Sequence, residues 1–210
     1  MEYNIAVVNS NSFGQVFTEH WKELEGIGTV KRFMLPTDID GKLLAEKLHG
    51  FNVIIASVTP FFNKEFFDNK DELLLISRHG IGFNNVDLHA AKEHGTQVAI
   101  VPQKVERNSV AENELANLMA LVRQVVPSSE RERAGRYEDR AQFMGNEFSG
   151  KTFGVIGCGN IGSRVAELFS IFGGPVLVND PHPATEPELP TTTLNVLTLK
   201  LCLAAVIIFH

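Results

Sequence analysis

Three glycines and an aspartate in the second half of this sequence have the spacing of a phosphate-binding turn. Gly157, Gly159 and Gly162 form the pattern G-x-G-x-x-G, and Asp180 follows the last of them by 18 residues. A glycine-rich turn that opens a helix presents backbone N–H groups and the positive end of the helix dipole to an anion. A carboxylate about 20 residues further on accepts a hydrogen bond from a ribose 2′-hydroxyl. The pattern therefore predicts a dinucleotide site; the alternative is a glycine-rich turn that binds nothing.

The residues around the glycines predict the elements that such a site requires. Residues 151–156 form a candidate buried strand, residues 163–172 have helical spacing of apolar side chains, and residues 176–178 form a second candidate strand. In this arrangement the first glycine permits a tight turn, the second lets the backbone approach a pyrophosphate, and the third allows helix and strand to pack closely. No Arg or Lys follows Asp180 in residues 181–183. A 2′-phosphate would be repelled there, so the sequence favours NAD over NADP.

Composition and charge argue against several classes of protein. The 210 residues are 44% hydrophobic and 21% charged, with a net charge of −6, which is typical of a globular protein and not of a general nucleic-acid binder. The apolar segment 194–209 is interrupted by Lys200 and is shorter than a membrane span, so we expect no span there. Cys158 and Cys202 lie in apolar segments, which favours buried thiols in a reducing compartment and therefore a cytoplasmic protein. We expect no metal site, because no His, Cys, Asp or Glu grouping has ligand spacing.

The first hundred residues alternate between β-rich runs and helical patterns. Five runs are candidate strands, at residues 5–8, 30–33, 53–56, 73–77 and 98–100. Helical patterns cover residues 14–24, 40–48 and 87–94, with Asp87 as a candidate N-cap and with Gly50 and Gly95 as candidate helix-ending residues. Such alternation, with nearly continuous apolar strands, predicts a parallel, doubly wound sheet.

A second domain is expected from residue 102 onward. The run Ser109-Val110-Ala111-Glu112 is a capping box, which predicts that a long helix begins there, and Pro127 would close or kink that helix. The arginines between residues 107 and 140 alternate with acidic residues, as they do on a solvated helical face. We therefore expect a first domain at residues 1–101 and a second domain, which contains the glycine-rich turn, at residues 102–210.

Several separate runs resemble one enzyme family. Residues 78–87 (RHGIGFNNVD) resemble a loop of pattern R-x-G-x-G-x-x-N-V-D, residues 109–112 match the start of an interdomain helix, and residues 143–151 resemble the lead-in to a nucleotide-binding strand. Together with the glycine turn, these runs resemble the D-isomer-specific 2-hydroxyacid dehydrogenases, especially their phosphoglycerate dehydrogenase-like branch. The resemblance implies an α/β protein with a flavodoxin-like parallel-sheet substrate domain, followed by a partial Rossmann NAD-binding domain.

The resemblance also implies roles for individual residues. The backbone of Gly80, Ile81 and Gly82 would hold the carboxylate of a small 2-hydroxy or 2-oxo acid; the alternative is a plain turn before a helix. The residues that would contact the NAD cofactor are Val110 and Ile81 at the nicotinamide, Asn160 and Ile161 at the pyrophosphate, and Asp180 at the adenosine ribose. A homodimer is implied as well, because the long helix and the basic segment after it occupy the positions at which this family dimerises.

The sequence departs from the family pattern near Ala56, in its tail and in its catalytic residues. Ala56 stands near the strand end at which phosphoglycerate-handling relatives usually place an Arg, which argues against phosphoglycerate as substrate. Phe61 and Phe62 follow it, and they form either an apolar rim or two core aromatics. The tail 185–210 is atypical, because the family has an amphipathic helix with acidic residues over the segment that corresponds to 190–203, and no acidic residue occurs there.

The family's catalytic trio is an Arg that clamps the carboxylate, a His general acid/base, and a Glu that orients the His. These residues follow the strand that would correspond to 205–209, so we expect them to lie beyond residue 210. His79 flanks the substrate loop but precedes its glycines, and it is a poor substitute. The 210-residue chain is therefore expected to bind coenzyme weakly and to turn over nothing. The alternatives are an NAD(H)-responsive interaction protein similar to the family's corepressors, and a non-functional remnant.

Overall fold

The computed structural model describes residues 3–181 and 194–196. The chain divides into two units, Met1–Pro102 and Gln103–His210, each of which contains its own sheet. All strand pairs in both sheets are parallel, so the predicted α/β fold class is confirmed. Within the described ranges, no helix is both long and apolar enough to cross a bilayer.

The first unit is built on a five-stranded sheet. Its strands are β1 (Tyr3–Val8), β2 (Gly28–Phe33), β3 (Val53–Ala56), β4 (Leu75–Arg78) and β5 (Gln97–Ala99). The helices of this unit are α1 (Thr18–Glu25), α2 (Gly41–Lys47), α3 (Lys64–Asn69) and α4 (Leu88–Glu93). The strand order β2-β1-β3-β4-β5 is the flavodoxin-like order, in which the direction of winding reverses between β1 and β3.

The central strands β1 and β3 are buried on both faces of the sheet, which explains why they are nearly continuous apolar runs. Alternate residues of β1 point to opposite faces. Ala6 and Val8 belong to the larger core, which includes Phe66 of α3. Ile5 and Val7 belong to a smaller core, against which Trp21 of α1 packs.

The ends of the helices in the first unit agree with most of the expected capping residues. The Asp87 carboxylate accepts a hydrogen bond from the Ala90 N–H at 3.0 Å, so the predicted N-cap of α4 is confirmed. Asp40 caps α2 in the same way. Gly95 directly follows the C-cap of α4 with φ of +73°, as predicted, whereas Gly50 (φ +82°) lies two residues beyond the C-cap of α2.

The second unit contains a three-stranded sheet and the long helix of the chain. Its strands are β6 (Phe153–Ile156), β7 (Val176–Asn179) and β8 (Leu194–Val196), in the order β6-β7-β8. Its helices are α5 (Gln103–Val122), α6 (Val125–Arg133), a 3₁₀ helix (Tyr137–Phe143) and α7 (Asn160–Ser170). The core between helices and sheet contains stacked aromatic rings, with 4.7 Å between the ring centroids of Phe153 and Phe169. The β6-α7-β7 unit is the strand–helix–strand arrangement that the glycine pattern predicts.

The predicted helix start at Ser109 is wrong. Ser109 lies inside α5, which begins at Gln103, and its hydroxyl donates to the Glu106 carbonyl oxygen at 3.1 Å. A serine inside a helix can bond back to the preceding turn, so the S-x-x-E pattern does not occur only at helix starts.

Pro127 was expected to close or kink the long helix, but the helix ends before Pro127 is reached. The helix breaks at Gln124, whose φ of +51° is left-handed, and α6 begins at the next residue. Pro127 lies in the first turn of α6, where its missing N–H has no intrahelical partner to lose.

Part of the predicted tail lies outside the described residues. The candidate strand 205–209, Lys200 and Cys202 belong to this part. The segment Leu194–Val196 is strand β8. The residues of β8 therefore do not belong to the helix that the family resemblance implies over 190–203.

Candidate functional site

The glycine-rich turn connects the end of β6 to the start of α7. Gly157 has a φ of +88°, which an L side chain rarely adopts, so glycine is required for this turn. The Gly157 N–H donates to the Asn179 carbonyl oxygen at 2.8 Å, which holds the turn against the end of β7. Gly159 is the N-cap of α7 and provides no side-chain cap, so the first N–H groups of that helix have no intrahelical acceptor and could donate to an anion.

The other two glycines of the pattern have opposite surroundings. A Cβ atom on Gly162 would overlap the Gly157 carbonyl oxygen, so this position must be glycine for the helix and the turn to pack. A Cβ atom on Gly159 would meet no atom within 4 Å. The space beside Gly159 is therefore open to a ligand, as a backbone that approaches a pyrophosphate requires.

The structure brings Asp180 to the same turn. One Asp180 carboxylate oxygen accepts a hydrogen bond from the Cys158 backbone N–H at 2.6 Å. Asp180 is distant from the glycine pattern in sequence but lies beside it in the structure. A carboxylate at this position can reach the ribose of a bound nucleotide.

The Cys158 side chain lies in the core below this turn and is 2% exposed. Burial, together with the negative charge of Asp180, raises the pKa of the Cys158 thiol. The thiol is therefore protonated at neutral pH, and Cys158 serves as a packing residue and not as a nucleophile.

The N-terminal turns of α5 and α7 lie side by side near the glycine turn. The Asn160 side-chain amide donates to the Gln103 carbonyl oxygen at 2.6 Å. The Arg107 guanidinium donates to the Ser163 hydroxyl at 3.3 Å. Val110 lies one turn further along α5 and is half-buried. Sequence reasoning placed Arg107 on a solvated helical face and missed its contact with α7.

A groove of about 460 Å³ extends beside the glycine turn within the second unit. Gly157, Ile161 and Gly162 line it from the turn and from α7, and Glu114 and Leu118 line it from α5. The helix that contains Val110 therefore forms one wall of the space that borders the glycine pattern.

In the first unit, the loop after β4 is held by one buried arginine. The Arg78 side chain donates to the carbonyl oxygens of Gly82 (2.9 Å), Ala56 (2.6 Å) and Ser57, and the residue is only 3% exposed. The loop that contains Gly80, Ile81 and Gly82 is consequently fixed to the carboxyl end of β3. The motif contained Arg78, but its spacing gave no indication of which carbonyl groups it contacts.

A depression of about 370 Å³ adjoins this loop. Val58 and Phe61 line it beside Gly82. Phe61 is 53% exposed, whereas Phe62 is fully buried in the core, so one of the two aromatics is a rim residue and the other a core residue. His79 is adjacent, and its Nδ1 atom lies 2.8 Å from the Ser10 hydroxyl.

Within residues 3–181 and 194–196, no three His, Cys, Asp or Glu side chains converge as metal ligands would. In the second unit, the site residues are the backbone amides of the glycine turn, the Asp180 carboxylate and the Arg107 guanidinium. This donor set fits a ligand with phosphates and ribose hydroxyls.

Comparison with known sequences agrees with this description. Residues 115–209 match the family model described as D-isomer specific 2-hydroxyacid dehydrogenase, NAD binding domain. A Staphylococcus saprophyticus protein assigned as a 2-hydroxyacid dehydrogenase is 33% identical over 152 residues, which cover 71% of this chain and 48% of that protein. A protein of Staphylococcus haemolyticus with the same assignment is 34% identical, with the same coverage.

Solved structures share the fold. The pyruvate reductase of Chlamydomonas reinhardtii has a TM-score of 0.79 and 25% identity, covering 98% of this chain and 59% of that chain. The D-lactate dehydrogenase of Aquifex aeolicus, crystallised with NAD and lactic acid, has a TM-score of 0.78 and 24% identity, covering 97% of this chain and 58% of that chain. The chain spans about half the length of the curated relatives it matches. The matched family model is that of an NAD-binding domain, so the cofactor of this domain is NAD.

Proposed function

Because the chain belongs to the D-isomer-specific 2-hydroxyacid dehydrogenase family, we propose that it binds NAD at the glycine turn of the second unit and carries coenzyme- and substrate-binding parts of an NAD-dependent oxidoreductase that interconverts D-2-hydroxy acids and 2-oxo acids. The observation that carries the proposal is the position of Asp180, 2.6 Å from the Cys158 N–H, at a turn whose Gly159 faces open space.

The residues of the turn would each hold a different part of the coenzyme. The first N–H groups of α7, including those of Asn160 and Ile161, would bind the pyrophosphate, and the Asp180 carboxylate would accept from the adenosine ribose. Val110 would border the nicotinamide. When bound, the coenzyme supplies the hydride acceptor or donor for carbon 2 of the acid.

The fixed loop of the first unit would hold the substrate. The backbone N–H groups of Gly80, Ile81 and Gly82 suit a carboxylate, because they bring donors close to an anion without bulky side chains. Val58 and Phe61 would contact the remainder of the acid. Because Ala56 offers no charge, we propose small or apolar 2-oxo acids as substrates and not phosphorylated ones.

Coenzyme titration tests the first part of the proposal. We expect NADH to bind the chain and NADPH to bind at least tenfold more weakly, since the carboxylate of Asp180 would repel a 2′-phosphate. Asp180→Ala is expected to weaken NADH binding by about tenfold, the effect of a lost charge-assisted hydrogen bond. A wild-type chain that shows no NADH binding by fluorescence or calorimetry would overturn the proposed function.

Turnover is tested separately. The motifs matched within residues 1–210 do not include the family's Arg, Glu and His, so we propose that this 210-residue chain binds coenzyme without catalysis. NADH oxidation is measured with pyruvate, glyoxylate, hydroxypyruvate and 2-ketoisocaproate. A rate above about 0.1 per second, within the usual range of enzymes, would contradict the proposed inactivity.

We also propose a homodimer in the cytoplasm. Exposed apolar side chains follow one another along α5 and α6, including Leu121 and Val126. A second copy of this chain would cover them, as the family resemblance implies. The buried free thiol of Cys158 suits a reducing compartment. If the mass of the assembly in solution changes when NADH is added, the result would instead favour the alternative of an NAD(H)-responsive interaction protein.

A further inference from the structure

We propose that Arg107 is an additional coenzyme-binding residue, whose guanidinium donates to the pyrophosphate held at the glycine turn. This inference rests on the proposed NAD site and adds to it a residue outside the glycine pattern.

The position of Arg107 is defined by contacts with the helix that opens at the turn. Its guanidinium donates to the Ser163 hydroxyl at 3.3 Å, and that hydroxyl donates to the Asn160 carbonyl oxygen at 3.2 Å. The Asn160 side chain in turn donates to Gln103, the first residue of α5. These bonds tie the guanidinium, half-buried between two helices, to the first turn of α7.

Electrostatics favour an anion at this position. The N-termini of α5 and α7 both carry partial positive charge, and α7 presents unsatisfied N–H groups on the side that faces the turn. An arginine there adds a full positive charge next to two positive helix ends. An anion of charge −2 at the turn is attracted by the guanidinium and by both helix ends.

The chemistry of the side chain selects the kind of anion. A guanidinium presents paired N–H groups in a plane, which match two oxygens of a phosphate better than a single ammonium group does. The open space beside Gly159 gives a pyrophosphate room to lie near the turn. Ser163 would then act as a positioning residue that aims the guanidinium.

The test compares ligands with and without phosphates on the wild-type chain and on Arg107→Gln. Dissociation constants are measured for NADH, ADP-ribose and adenosine by calorimetry. We expect Arg107→Gln to weaken the binding of NADH and of ADP-ribose by about tenfold, as the loss of a charge-assisted hydrogen bond would. The binding of adenosine should be unchanged. Arg107→Lys, which keeps the charge and loses the planar fork, is expected to weaken both phosphate ligands by about threefold.

Arg140→Gln is the matched control, because it removes the same charge from a guanidinium that lies over the Tyr137 ring. We expect its affinities to equal those of the wild type. Unchanged ADP-ribose binding in Arg107→Gln would overturn the role of Arg107 while leaving the NAD site intact. An equal loss for adenosine and ADP-ribose would also overturn it, since that pattern indicates a structural role. No binding of NADH by the wild type would overturn the NAD site itself.

Discussion

Gly159 and Gly162 belong to one turn, but the space around their Cα atoms differs. Gly162 packs against the Gly157 carbonyl, whereas Gly159 faces open space and has a φ of −75° that alanine adopts easily. A methyl group at position 162 must displace the backbone, and one at position 159 displaces only a ligand. The two positions therefore separate the contribution of the glycine pattern to folding from its contribution to binding.

We predict that Gly162→Ala lowers the free energy of unfolding by about 1–3 kcal/mol, the usual cost of overpacking. Gly159→Ala is predicted to keep the wild-type melting temperature and to weaken NADH binding by at least tenfold, because its methyl group occupies the space of the pyrophosphate. Thermal unfolding and NADH titration of both variants measure these effects. A stable Gly162→Ala with wild-type affinity would contradict the packing argument.

Burial and the negative charge of Asp180 raise the pKa of the Cys158 thiol. The folded thiol keeps its proton to a higher pH than the unfolded one, so the free energy of unfolding decreases as pH rises from the ordinary pKa of 9.0 to the higher pKa of the folded thiol. Asp180→Asn keeps an acceptor for the Cys158 N–H and removes the charge. We predict faster iodoacetamide alkylation of Cys158 in Asp180→Asn at pH 8, measured by mass spectrometry of its peptide. An equal or slower rate would show that burial alone sets the pKa.

The sequence predicted part of the site at the residue scale. Spacing alone predicted the dinucleotide pattern at residues 157–162 with Asp180. It did not predict what Arg78 and Arg107 contact, because their partners are carbonyl and hydroxyl groups from segments that only the fold brings near. A charged residue beside acidic neighbours has the pattern of a solvated face, whether or not its guanidinium reaches another helix.

At the scale of elements, strands were easier to predict than short helices. All seven candidate strands that fall within the described residues are present, because buried parallel strands are apolar runs between breakers. The short helix α3 was missed, since its adjacent residues Phe66 and Phe67 show no helical period and its start depends on the Asn63 side chain, which accepts from the Phe66 N–H. Helix α6 was missed because its positive-φ start at Gln124 has no sequence signal.

Ser109 and Asp87 allow the corrected helix boundaries to be tested. Asp87 caps α4 through its bond to the Ala90 N–H, so Asp87→Ala is predicted to cost about 1 kcal/mol of stability. Ser109 lies inside α5, so Ser109→Ala removes no cap and replaces serine with a better helix former. We predict that Ser109→Ala changes the free energy of unfolding by no more than about 0.5 kcal/mol, or raises it slightly, as measured by urea unfolding. A loss as large as that of Asp87→Ala would restore Ser109 as the start of the helix.

Each of the two units has its own core, and each has a loop or turn fastened at the carboxyl end of a strand. In the first unit, the loop after β4 is fastened to the end of β3 by Arg78. In the second, the turn after β6 is fastened to the end of β7 through the Gly157 N–H. Ligands of open α/β sheets bind beyond the carboxyl ends of the strands, and in each unit the fastened segment lies at such an end.

Exposed apolar side chains on α5 bear on the assembly of the chain. Leu121 near the end of α5 is 74% exposed, and an apolar side chain of that size is usually covered when it lies among others on the same segment. We predict that the wild-type chain has the mass of a dimer by light scattering and that Leu121→Glu is a monomer at micromolar concentration, because a dimer would bury the new charge. Val16→Glu is the matched control, since Val16 is 69% exposed in the first unit, and it should remain dimeric. Dissociation of both variants would indicate a general loss of structure, and dimers of both would place the interface away from α5.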